Sequence, residues 1–182
     1  MPSLFLKVSL VLVVSLALTI QITPDARENI LPTPNVSTKE AVGTAGAKIK
    51  LHATSEQVWR DLIDFGKYGE WSKRVPSVDF GEDKGKLKEG MVGVMTVVPP
   101  NASPNTFPVE IISISQSTHT LVWKSLTGLP DWVILSERVQ EVVDLPGQPG
   151  WSQYRTWDTW KGPFAYVMQW VFKKGIEENL EG

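Results

Sequence analysis

The sequence contains no cysteine. That excludes a disulfide framework, thiolate zinc sites, thioredoxin-type redox chemistry and a cysteine nucleophile. Histidine is nearly as scarce: His52 and His119 stand far apart in the chain, so no ligand set for a metal is visible. No Ser-His-Asp order, G-x-S-x-G elbow, H-E-x-x-H, P-loop or G-x-G-x-x-G occurs, and nothing calls for a cofactor. Neither sign of charge dominates. Lys plus Arg number 18 against 20 Asp plus Glu, a net charge of -2 and a pI near 5.7, which leaves no electrostatic footprint for nucleic acid. What the chain does have is eight tryptophans in 182 residues, a length that fits one domain with a core able to stand without disulfides or metal.

The first residues carry a different signal. Lys7 precedes an apolar run over 8–14, interrupted by Ser9, and Ser15-Leu16-Ala17 offers a small-x-small cleavage pattern. Residues 1–23 are expected to be a signal peptide or, because 4–22 approach the ~20 residues needed to span a bilayer, a retained membrane anchor. Either places the protein in the secretory pathway. Two N-x-S sequons, at Asn35 and Asn101, agree with that and are the candidate glycosylation sites. Residues 24–43, rich in Pro, Thr, Asn and Ala without apolar period, read as a flexible linker to a domain over 44–182.

Within that domain Ala47, Ile49 and Leu51 alternate with Lys48, Lys50 and His52, a half-buried strand. Thr54 or Ser55 caps a helix, with Gln57 placed as in a capping box and Val58, Trp59, Leu62 and Ile63 on one face. Gly66 and Gly69 confine Phe65, Tyr68 and Trp71 to a second short helix. Strand patterns follow at 75–80, 91–98, 107–115, 120–126, 132–143 and 152–160, joined by Gly-, Pro- and Asn-rich links typical of antiparallel neighbours. Finally, Pro163 suits a helix N-terminus, and Phe164, Val167, Met168, Val171, Phe172 and Ile176 keep a 3.6-residue period. The expected class is α+β: a curved antiparallel sheet around a long C-terminal helix, with two short helices after the first strand. One helix cannot cover a wide sheet, so an apolar gap is expected between them.

The run Val58-Trp59-Arg60-Asp61-Leu62-Ile63-Asp64-Phe65 with Tyr68 and Trp71 resembles the opening of the START-like, or SRPBCC (Bet v 1-like), superfamily. The likeness is to its polyketide cyclase/dehydrase and lipid-transport branch. Leu87-Lys88-Glu89-Gly90, Leu121-Val122-Trp123, Glu137-Arg138-Val139 and the stretch from Tyr154 to Gly162 follow in the same order, so the resemblance covers about 45–180. It implies a helix-grip fold: seven antiparallel strands gripping the C-terminal helix around a hydrophobic cavity. Members bind lipids, sterols, quinones, plant hormones or polyketides, and some cyclise or dehydrate what they bind. This chain departs from the pattern in having no histidine where many relatives carry one, at Glu137-Arg138, and in its proline-rich 99–104 loop.

The resemblance implies that Glu137, Arg138, Tyr154, Arg155 and Asp158 stand at cavity-lining positions. Glu137, Tyr154 and Asp158 are the acid–base candidates, since proton transfer needs such groups within hydrogen-bond reach of substrate. Alternation puts Glu137, Val139 and Glu141 on one face and Arg138, Gln140 and Val142 on the other. Both faces mix polar and apolar groups, so the pattern leaves the inward face open, and allows a Glu137–Arg155 or an Arg138–Asp158 pair. If Lys124 faces water, Trp123 faces the cavity. The candidate ligand contacts are Trp71, Met95, Trp123, Trp132, Tyr154 and Met168, aromatic walls for a planar or isoprenoid molecule. Three functions fit: binding of a small hydrophobic ligand, a cofactor-free cyclase or dehydratase, and lipid transfer at a membrane reached through the N-terminal segment.

Overall fold

A computed structural model describes residues 30–81, 87–98 and 103–167. The segment 1–23, the sequon at Asn101, Met168 and the rest of the C-terminal helical pattern lie outside the described residues. Among the described residues no helix is long and apolar enough to cross a membrane.

The elements follow the expected order: β1 (Ala41–Leu51), α1 (Ser55–Ile63), a 3-10 turn (Phe65–Lys67), α2 (Tyr68–Trp71), β2 (Ser77–Asp79), β3 (Val92–Val97), β4 (Asn105–Ser115), β5 (Thr120–Ser125), β6 (Leu135–Asp144) and β7 (Ser152–Lys161). Residues 163–167 begin a further helix. The strands form one seven-stranded antiparallel sheet, β1-β7-β6-β5-β4-β3-β2. Two register shifts, at Ala41/Gly43 and Ile111/Ser113, mark bulges of the kind that bend strands.

Thr54 caps α1, its side chain accepting from the Gln57 N–H at 3.3 Å. The apolar stripe of α1 then buries Val58, Trp59 and Leu62 against the inner face of the sheet, each worth about 1.5–3 kcal/mol in area removed from water. Tyr68 ties α2 back to α1 by donating its hydroxyl to the Leu62 carbonyl at 2.8 Å. The core is completed from the sheet side by Val78, Met95, Val109, Ile111, Leu121, Trp123, Val142 and Tyr154.

The expected linker is where the structure differs. β1 begins at Ala41 rather than near Thr44, and residues 31–36 lie as a strap on the outer face of the sheet. Thr33 and Val36 exchange backbone hydrogen bonds at 3.0 and 3.2 Å, closing a tight turn whose Val36 is fully buried. The Leu31 and Pro32 carbonyls accept from Thr159 Oγ1 at 2.6 Å and Trp157 Nε1 at 3.0 Å. A composition that reads as a tether is held down because these polar groups find partners on β7.

Candidate ligand-binding site

Cross-strand pairing fixes which side chains share the inner face. Trp123, Arg138 and Asp158 form one rung, ending at Ala45 of β1; Leu121, Gln140, Thr156 and Ala47 form the next; Val142, Tyr154 and Ile49 the third. The helices cover the deeper rungs, so Trp123, Gln140, Tyr154 and Thr156 are buried, while Arg138, Asp158, Ala45 and Ala47 stay partly open. The inner face therefore grades from a partly exposed charged pair to a buried polar centre.

Donor and acceptor chemistry orients that centre. An indole N–H can only donate, so Trp123 Nε1, 2.9 Å from Gln140, requires the amide oxygen there. The amide nitrogen is thereby turned to Tyr154 and donates to its hydroxyl oxygen at 2.7 Å. Tyr154 is thus an acceptor toward Gln140, and the Thr156 hydroxyl, which donates to the Val139 carbonyl at 3.0 Å, is its other side-chain hydrogen-bond neighbour. Arg138 donates through Nε to Asp158 Oδ2 at 2.8 Å, with Nη2 on the same oxygen, and its guanidinium lies over the Trp123 ring, 5.1 Å from the centroid. Burial works against the Arg138 charge, but the Asp158 carboxylate outweighs it and holds the guanidinium's pKa above its usual value. Desolvation pushes the Tyr154 phenol up, and that of Tyr68 well up. Both therefore stand as neutral hydrogen-bonding groups at pH 7.

The expected residues divide. Tyr154, Trp123, Trp71, Met95 and Asp158 all lie on the inner side, Asp158 in the Arg138 pair that alternation allowed. Glu137 does not. It sits on the outer face, fully buried beneath the strap, where its carboxylate accepts from the backbone N–H of Asn35 at 2.9 Å and from Asn35 Nδ2 at 2.8 Å. Arg155, also on the outer face, pairs with Glu141 instead. Asn35, the first residue of one sequon, is itself exposed at the turn of the strap and gives one of its two amide hydrogens to Glu137. Trp132 is 72% exposed in the turn before β6, outside the buried core. Gln140 and Tyr68 were not among the expected site residues. The signal for Gln140 was its alternation with Arg138 and Val142; for Tyr68, its place between two aromatic neighbours. Neither histidine approaches the centre: His52 stacks on Trp151, and His119 bonds Glu56 at 3.1 Å and stacks on Trp59. Among the described residues no group of three His, Asp or Glu could hold a metal ion.

No family model matches the sequence. Solved structures do match the backbone. Norcoclaurine synthase from Thalictrum flavum, in complex with dopamine and hydroxybenzaldehyde, aligns with a TM-score of 0.52 over 81% of this chain and 95% of its own, at 12% identity. Major latex-like protein 151 from Panax ginseng aligns with a TM-score of 0.51 over 75% and 96%, at 13% identity. The fold is the START-like, Bet v 1-like helix-grip fold. At such identities the likeness is one of architecture alone. Among curated proteins, oxopyrrolidines biosynthesis cluster protein O of Penicillium oxalicum is 22% identical over 175 residues, 82% of this chain and 87% of its own.

Proposed function

We propose that this START-like domain encloses a small, largely apolar molecule between the inner face of its sheet and its helices, oriented by the buried polar centre. The observation that carries the reading is the buried polar centre: Gln140 and Tyr154, hydrogen-bonded to each other at 2.7 Å within an otherwise apolar core, stand beside the partly exposed Arg138–Asp158 pair. A ligand carbonyl or hydroxyl would compete for those hydrogen-bonding groups. Apolar ligand surface leaving water supplies ~25 cal/mol per Å², and a few polar groups set the pose. The helix-grip architecture supports it, as does the Thalictrum flavum structure, which holds dopamine and hydroxybenzaldehyde.

Native mass spectrometry of the purified protein is the test. A co-purifying small molecule is expected, and Tyr154→Phe should weaken its binding ~5–10-fold, the worth of one hydrogen bond. A wild-type protein that carries nothing and takes up no fatty acid, quinone or polyketide would overturn the reading.

A second reading, acid–base catalysis on the same ligand, is favoured by one specific feature: Tyr154, Arg138 and Asp158 converge on one face. Tyr154 would donate to a carbonyl oxygen as charge develops there, with Arg138 opposing that charge. The released ligand after prolonged incubation separates the two readings, since a dehydrated product lighter by one water, or a cyclised isomer of equal mass and different retention, identifies the enzyme.

A further inference from the structure

One end of the sheet carries an apolar surface that enclosure of a ligand does not call for. Nine large hydrophobic side chains are exposed among the described residues, and five of them belong to the two segments that meet where β6 begins and β7 ends: Leu129, Trp132, Phe164, Tyr166 and Val167. Single exposed apolar residues are ordinary, whereas a group of them marks an interaction site. The two segments are stitched together. The turn before β6 closes on itself through the Val133 N–H, which donates to the Pro130 carbonyl at 2.8 Å, and the Val133 carbonyl accepts from the Phe164 N–H at 3.1 Å. Ala165 is fully buried, so Phe164 and Val167, three residues apart, share the outward side of the last helix.

The strap directs the rest of the chain to this same end. Thr33 and Val36 pair as an antiparallel bridge, so the leg before Thr33 and the leg after Val36 run in opposite directions side by side. The later leg leads to Ala41, which pairs with Lys161, the last residue of β7. The earlier leg sets its Leu31 carbonyl on Thr159, near that same end of β7. Chain upstream of Ile30 therefore joins the domain at the end of the sheet that bears the apolar surface. Upstream lie the apolar run over 4–22 and a spacer, 24–30, which spans at most about 25 Å when fully extended. A bilayer that held the run would hold the domain close, with this end toward it.

The side chains suit such a surface. Trp and Tyr favour the headgroup level, where an amphipathic ring meets both phases, and Leu, Phe and Val favour the acyl boundary beneath it. The charges beside them are already matched, Asp131 with Lys124 at 3.1 Å and Lys161 with Glu40 at 3.3 Å. We propose that Leu129, Trp132, Phe164, Tyr166 and Val167 form a membrane-docking surface, seated at the interface of the bilayer into which residues 4–22 insert, and that apolar contact rather than attraction to anionic lipid holds it there. The short spacer favours this occupant over a second copy of the chain. Docking stands whether or not the inner core holds a ligand.

The full 182-residue chain, reconstituted in phosphatidylcholine vesicles with dibrominated acyl chains, provides the test, because residues 1–29 contain no tryptophan and cannot themselves report quenching. Tryptophan fluorescence should be quenched relative to vesicles of unbrominated lipid. Trp132→Phe changes a side chain that is 72% exposed, so the fold should survive, and most of the quenching should be lost. Trp151→Phe, also exposed but placed before the start of β7 at the opposite end of the sheet, should leave the quenching in place. High salt should leave it too, since screening acts on charges and not on apolar contact. Equal quenching in wild type and Trp132→Phe, or quenching that salt abolishes, would overturn the proposal. So would a full chain that fails to float with the vesicles. A dimer in sedimentation equilibrium that Leu129→Ser dissociates would assign the surface to a second copy instead.

Discussion

Replacing Glu137 with Gln separates two roles that the sequence alone allowed for this residue. Its carboxylate is fully buried, and both oxygens are used, one by the Asn35 backbone N–H and one by the Asn35 side-chain amide. Gln keeps the shape but has only one acceptor oxygen. One of the two Asn35 donors must then face the new amide N–H, donor against donor, and the surviving bond loses its charge assistance. A hydrogen bond to a charged group is worth about 1.5–3 kcal/mol, while burying a neutral amide costs less than burying a carboxylate. The net loss should be about 2 kcal/mol, a fall of roughly 6–8 °C in Tm for a domain of this size. Differential scanning calorimetry measures it, and tryptic cleavage after Lys39 should accelerate as the strap loosens. Ligand affinity in the folded variant should not change, because Glu137 faces away from the inner core. A melt within about 0.5 kcal/mol of wild type would refute the latch, and loss of ligand binding in a folded variant would refute the placement of the site.

The buried tyrosines give an alkaline signature. Their pKa values are raised in the fold, so the stability they contribute is complete below the unfolded-state value of about 10 and is lost as pH climbs from there toward the folded values. Unfolding free energy should drop above about pH 10, and Tyr68→Phe with Tyr154→Phe should flatten that slope in urea titrations; an unaltered slope counts against it. Gly162 holds φ at +99° where a Cβ would overlap the Val133 carbonyl, the group that accepts from the Phe164 N–H at 3.1 Å. Gly162→Ala should therefore cost at least about 2 kcal/mol by thermal melt, and an unchanged Tm would show that the turn into the last helix adapts freely.

Much of the scaffold was legible because its signals are local. The Thr54 cap, the α1 stripe and six β-rich stretches between turn residues depend on short-range chemistry, and they form close to where the pattern put them. Which face of β6 points inward was not legible, and the strap explains why. Alternation separates faces only when one meets water, but Glu137 and Val139 on the outer face are both buried, so polarity does not distinguish them from Gln140 and Val142 within. The strap in turn defeats compositional reading. Its fate is decided by Thr159, Trp157 and Glu137, more than a hundred residues away.

The strap also decides where force enters the molecule. Chain upstream of Ile30 joins the domain through bonds to β6 and β7, interior strands of the sheet, rather than through the end of edge strand β1. A pull from that direction would load Glu137 and Thr159 before it reached the β1–β7 ladder, so the edge strand is shielded from being unzipped. The strap's anchorage lies on the outer face of the sheet, opposite the face on which Trp123, Gln140 and Tyr154 are gathered.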